Sequence, residues 1–156
     1  MNLANLPPDD ADSGVSLHAF RGRILLVDDE PVLRALASTI LTSHKWEVLS
    51  ASSAEEASQI LKYCVLHHSR VDLIILDLVL PGGMSGMEAL EALRLIQPGT
   101  PVIACSGFFA DEESMTSCRQ MGFDDVLPKP YTPRTLADMV SRILPHAIAL
   151  PASDRY

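Results

Sequence analysis

Short apolar runs ending in polar or acidic residues alternate five times with longer stretches whose apolar residues recur at helical spacing. That alternation decides what the chain can fold into, because strand–helix pairs in series build a parallel sheet with helices on both faces. The runs are Ile24–Asp28 in "RILLVDDEP", Trp46–Ser50, Val71–Asp77, Val102–Cys105 and a short one within "DDVLPKP". Pro31 suits the first turn of a helix, where a missing N–H costs nothing, and Leu33, Leu36, Ala37, Ile40 and Leu41 then share one helical face. Ser53 with Glu56 matches a capping box, and Ala57, Ile60, Leu61, Cys64 and Val65 form the stripe of the second helix. The third helix is expected from about Met87 to Gln97 over Leu90, Leu93 and Ile96. A fourth, from about Asp111 to Met121, has a thin stripe of Met115, Cys118 and Met121. Thr132 as N-cap and Pro133 at the first helical position open the fifth, over Leu136, Met139, Val140, Ile143 and Leu144.

Residues 1–22 read as a flexible leader, residues 23–145 as one domain, and residues 146–156 as a loose tail. The leader has acids and prolines where a secretory signal would have basic residues and an apolar run, and no apolar stretch approaches a bilayer span. A cytoplasmic protein without a membrane partner is expected. The net charge of −8, with no Lys/Arg-rich run, argues against a nucleic-acid surface. Cys64, Cys105 and Cys118 form no CxxC pair and fall on apolar faces, as buried thiols in a reducing compartment do.

In a doubly wound parallel sheet, ligands sit beyond the C-terminal strand ends, where the strand order switches. That rule pools Asp28 and Asp29 after strand one, Asp77 after strand three, Ser106 after strand four and Lys129 after strand five. Like charges about 4 Å apart repel by roughly 4 kcal/mol at an effective dielectric of about 20, so clustered acids call for a counter-charge. Mg2+ accepts a few carboxylates while keeping several waters. A carboxylate can attack phosphorus and form an aspartyl-phosphate, and Asp77, at the end of the most apolar strand, is the best placed to do so. Lys129 would hold one phosphoryl oxygen and the Ser106 hydroxyl another, with Glu30 serving only as a helix-start residue.

The stretches "LLVDDEP", "LIILDLVLPGGMSG", "VIACSG" and "LPKPY" resemble the motifs of response-regulator receiver domains of two-component signalling, over about residues 22–145. The resemblance implies an α/β fold of the (βα)5, flavodoxin-like kind, with strand order 2-1-3-4-5. It implies Asp77 as phospho-acceptor, Asp28 and Asp29 as the acidic pair for Mg2+, the main-chain carbonyl of Val79 as a further metal ligand, Ser106 as switch hydroxyl and Lys129 as phosphate-binding lysine. A histidine kinase or phosphotransfer protein would be the donor, and a protein target would read the helix 4–strand 5–helix 5 face; a homodimer is a further partner to consider. Such a protein is no enzyme toward an external substrate, although it assists its own phosphorylation and dephosphorylation. Two departures stand out. Val126 occupies the position, three residues before the lysine, where the family usually carries Phe or Tyr. The Gly82–Gly83 doublet lengthens the loop after strand three by one residue, as in receivers of hybrid histidine kinases.

Three rivals make distinct demands. A haloacid-dehalogenase-like phosphatase needs a second Asp two residues after its nucleophile, where this chain has Val79. A flavodoxin-like cofactor binder needs a Ser/Thr/Gly-rich loop after strand one, where this chain has acids. A degenerate receiver, kept only for binding, would have lost one of the five site residues, and none is missing.

Overall fold

Apolar residues on both sides of a strand demand cover on both sides, and the five strands meet that demand in one parallel sheet of order β2-β1-β3-β4-β5. The structure, a computed structural model, describes residues 20–145. Its elements follow the expected alternation: β1 Arg23–Val27, α1 Pro31–Ser43, β2 Glu47–Ala51, α2 Ala54–Leu66, β3 Leu73–Asp77, α3 Gly86–Ile96, β4 Val102–Ser106, α4 Glu112–Gln120, β5 Asp125–Pro128 and α5 Pro133–Ile143. The tail at 146–156 and leader residues 1–19 lie outside the described residues. Arg21 and Gly22 are joined to the sheet end: Arg21 N–H donates to the Lys45 carbonyl, and Glu47 N–H to that of Gly22.

Strand alternation divides the core in two. Ile24, Leu26, Leu73, Ile75, Ile103 and Leu127 face α1 and α5, where Ile40, Leu41, Leu136 and Val140 cover them. Leu25, Val27, Ile74, Leu76, Val102, Ala104 and Val126 face the other way, toward Leu61, Leu90, Leu93 and Cys118 of α2, α3 and α4. Every residue of β3 and β4 is buried.

The element ends show where local chemistry overrides periodicity. β1 stops at Val27, one residue short of expectation, because the Asp28 carboxylate turns back to accept from Glu30 N–H at 2.9 Å. This is an Asx turn, which takes the backbone out of the strand. β2 starts at Glu47 rather than Trp46, whose N–H donates to the Leu41 carbonyl at the end of α1. β3 begins at Leu73 rather than Val71 because Gln97 occupies the Val71 peptide: its Nε2 donates to the Val71 carbonyl at 2.6 Å and its Oε1 accepts from Val71 N–H at 3.3 Å. Ser106 is the last residue of β4, paired with Pro128. α3 begins at Gly86 with a full capping box between Ser85 and Glu88. At α2, Ser53 caps Glu56 N–H, but the Glu56 carboxylate reaches Ser52 instead of completing the box.

Three stripe assignments do not hold. Leu36 on α1, Val65 on α2 and Met121 after α4 are all exposed. Leu36 turns to the mouth of a cavity rather than to the sheet. Val65 stands in the last turn of α2. Met121 is the C-cap of α4, past the last turn that faces the sheet. Cys118 is thus the one buried residue of α4.

Candidate functional site

β1 and β3 are neighbours, and β2 leaves to one side while β4 and β5 follow on the other. Their C-terminal ends open on that switch, and the acids of both strands meet there. Asp28, Asp29 and Asp77 bring carboxylate oxygens within 4.8 Å of one another. Asp28 and Asp77 are buried, while Asp29 is exposed and makes no ion pair among the described residues.

Lys129 is the counter-charge. Its Nζ donates to Asp28 Oδ2 at 2.9 Å and to Asp77 Oδ2 at 2.8 Å. Burial by itself would lower the lysine pKa, but the hydrogen bonds to Asp77 and Asp28 outweigh it and hold the group above its ordinary value. The ammonium is therefore a fixed positive charge. β5 aims it: Lys129 N–H donates to the Ser106 carbonyl at 2.9 Å, carrying the β4–β5 pairing one residue further. The other oxygen of each buried acid is held by backbone. Asp28 Oδ1 accepts from Glu30 N–H, and Asp77 Oδ1 from Val79 N–H, each at 2.9 Å. Paired Asx turns thus fix both acids and set the Val79 peptide beside Asp77. Arg34, on α1, donates to the Asp28 carbonyl at 2.6 Å and steadies the same loop.

Ser106 is 1% exposed, and its Oγ accepts from Phe108 N–H at 3.1 Å. Cys105 pairs in register with Asp77, and burial pushes its thiol up to about 12, so it stays protonated beside the acids. Tyr131, also raised to about 12 by burial, walls a cavity of about 530 Å3 with Leu33, Leu36 and Pro130 opposite Asp29, Asp77 and Lys129.

All five residues pooled from the sequence converge at this end of the sheet. Sequence reasoning missed Arg34 and the two Asx turns. The turn signal was present, as Asp two residues before the donor N–H at both positions.

An all-oxygen cluster suits a hard divalent cation. Octahedral Mg2+ at 2.0–2.1 Å spans trans oxygens about 4.2 Å apart, so a spread of up to 4.8 Å lies within a small side-chain adjustment of that geometry. Thiolate or imidazole donors, which would favour a softer metal, are absent from the cluster.

Fold and site together define a class: doubly wound α/β domains whose β1/β3 switch carries an acid cluster pinned by a lysine from β5. The family model for the response regulator receiver domain matches residues 24–141, and the chain belongs to that family. Among curated proteins, it is 33% identical over 109 residues to the probable transcriptional regulatory protein TcrX of Mycobacterium tuberculosis, covering 70% of this chain and 44% of that protein. The chain spans about half the length, or less, of the curated relatives it matches. A CheY-like response regulator receiver domain protein from Methanospirillum hungatei JF-1 superposes with a TM-score of 0.68 at 28% identity, over 81% of this chain and 95% of that one. The receiver domain of the hybrid histidine kinase CckA superposes with a TM-score of 0.64 at 33% identity, over 79% and 99%. No helix of the described residues is long and apolar enough to cross a membrane.

Proposed function

We propose that the domain accepts a phosphoryl group on Asp77 from the phosphohistidine of a histidine kinase or phosphotransfer protein, and that the modification switches a protein-binding surface over α4, β5 and α5. One observation carries the reading: in a chain of the receiver family, Lys129 joins the buried Asp77 and Asp28 carboxylates in a single half-buried contact. A carboxylate oxygen of Asp77 attacks phosphorus, an O–P bond forms, the N–P bond breaks, and the histidine nitrogen leaves with the electron pair. Lys129 moves its charge from Asp77 Oδ2 onto a phosphoryl oxygen, and the Ser106 hydroxyl donates to another. Asp28, Asp29, Asp77 and the Val79 carbonyl would hold Mg2+, which when bound neutralises the negative charge gathered as the two anions meet.

The mouth of the site suits a protein donor. Leu36 and Val79 are exposed around it, with Leu33 and Tyr131 lining the cavity. The cytoplasm, where such donors display their histidines, is the compartment this reading requires. No acid stands at Val79, so water has no general base there of the kind a phosphatase uses.

Incubation with Mg2+ and acetyl phosphate, followed by intact-protein mass measurement, tests the reading. One added phosphoryl group is expected, absent in Asp77→Asn. Equal labelling of the variant, or steady turnover of external phosphate esters with no labelled protein, refutes it.

A further inference from the structure

Asp29 is the member of the acid cluster with the least support. Asp28 is held at four points. Its N–H donates to the Ala51 carbonyl at 3.1 Å, and its Oδ1 accepts from Glu30 N–H at 2.9 Å. Its Oδ2 accepts from Lys129 Nζ at 2.9 Å, and its carbonyl from Arg34 at 2.6 Å. Asp77 is held by Val79 N–H and by Lys129. The Asp29 carboxylate is exposed and accepts no hydrogen bond among the described residues. Its place is set by its own backbone, and the peptide leading into it is the one whose carbonyl Arg34 grips.

Arg34 sits one turn into α1, which starts at Pro31, near the positive end of that helix dipole and so on the unfavourable side for a cation. α2, α3 and α4 each have glutamate in the first turn, and α1 has no acid there. The surroundings offset that cost. The Glu56 carboxylate accepts from Ser52 N–H and from Ser52 Oγ, each at 2.7 Å. Those two bonds, and after them the Arg34 charge, hold the Glu56 carboxyl below its ordinary range. Ser52 follows Ala51, the residue whose carbonyl receives Asp28 N–H. Arg34 thus spans two loops: it is bonded to the β1–α1 loop and attracted to the acid that anchors the β2–α2 loop.

Two effects of Arg34 on a divalent cation at the acids have opposite signs. Its charge repels the cation, so by charge alone Mg2+ binding tightens when the guanidinium is removed. Its bond to the Asp28 carbonyl keeps the backbone at Asp29 ordered before the cation arrives. Without that bond, binding has to order the residue itself, which costs roughly tenfold in affinity. The direction of the change therefore tells positioning from charge.

We propose that Arg34 is a positioning residue for the divalent-cation site. It presents Asp29 by holding the Asp28–Asp29 peptide, and Glu56 steadies the guanidinium from the side of α2. It acts through Asp29 and not on the phosphoryl group. The inference rests on the metal-binding reading of the acid cluster.

Mg2+ is titrated into the full chain by calorimetry, and phosphorylation by acetyl phosphate is followed by mass at increasing Mg2+. Arg34 is half-buried and Met is a strong helix former, so Arg34→Met is expected to fold, which circular dichroism checks. In that variant the Mg2+ dissociation constant is expected to rise roughly tenfold. The Mg2+ concentration giving half the maximal rate should rise with it, while the rate at saturating Mg2+ stays within about twofold of wild type. Arg34→Lys, which restores a cation and a donor, is expected to recover at least half of the loss. Mg2+ binding that is unchanged or tighter in Arg34→Met overturns the inference and leaves the metal reading standing. A lysine variant no better than the methionine one overturns it as well, as does a fall in the saturated rate at an unchanged dissociation constant. Wild-type protein that binds no Mg2+ overturns the metal reading and the inference with it.

Discussion

Lys129→Met removes the charge that separates two buried acids and leaves a side chain of similar length. With Lys129 gone, Asp28 and Asp77 face one another with oxygens within 4.8 Å, a repulsion of about 3.5 kcal/mol at an effective dielectric of about 20. The lysine stem is mostly replaced, so the packing loss is small, and the expected cost is about 3 kcal/mol, at the low end for breaking a buried ion pair. The lysine pKa lies above its ordinary value in the folded state, so its contribution is fully present below about 10.4, and neutral buffer reads all of it. Urea unfolding followed by circular dichroism, in chelator, should show the midpoint falling by about 1–2 M for a slope of about 2 kcal/mol/M. Mg2+ should then stabilise the variant more than the wild type, because a cation held by the same acids replaces the missing charge and acts by mass action. A variant midpoint equal to wild type in chelator would refute the reasoning. So would equal stabilisation of both proteins by Mg2+.

Asp29→Asn, which relieves an exposed acid of its repulsive neighbours, should gain up to about 1 kcal/mol in chelator. The same substitution should shrink the rise in melting temperature that millimolar Mg2+ produces in the wild type. Gln97→Ala strands the buried Val71 N–H and leaves its carbonyl only the long 3.4 Å bond from Thr100 Oγ1, and should lower unfolding free energy by about 2 kcal/mol without changing phosphorylation of Asp77. Burial alone would raise the Asp125 pKa, but Val126 N–H, Arg142 and Arg119 outweigh it and hold it below the ordinary value. The stability it lends is therefore present above about 3.9 and lost as pH falls through the folded value; urea midpoints of Asp125→Asn and wild type should differ at neutral pH and converge in acid. Iodoacetamide at neutral pH should leave Cys105, buried and with its thiol pushed up to about 12, unmodified until urea is added, as counted by mass.

Much of this architecture could be read from one dimension because the rules involved are local. A proline at the first helical turn, a strand's unbroken apolar run and a serine three residues before a glutamate each act within a few residues, and each marks its own element. Asp28 and Lys129 lie 101 residues apart, yet their meeting was foreseeable, since a parallel sheet collects strand ends whatever their spacing in sequence. Gln97 was not foreseeable. A glutamine at the end of a helix looks like a solvated residue, and only the fold shows that a buried peptide 26 residues earlier needs both of its amide groups. Leu36 misled for the opposite reason: periodicity says which helix face is apolar, not whether the sheet extends far enough to cover it. That Lys129 reaches both acids at once follows from geometry alone.

The sheet also has a gradient of stiffness. β3 is flanked by strands on both edges and roofed on both faces, with all of its residues buried, whereas α4 buries a single side chain. Amide hydrogens of β3 should exchange only when the whole domain unfolds, and those of α4 through cheap local openings. Asp77 stands at the tip of one of the two strands buried along their whole length. A covalent change there meets an anvil on the strand side, so the resulting displacement has to appear where the spring constant is lowest, in the segment from Gly107 through α4. A cavity-making substitution beneath β3, such as Ile75→Ala, would soften the anvil, and the same modification at Asp77 would then spread its motion through the sheet instead of delivering it to one helix.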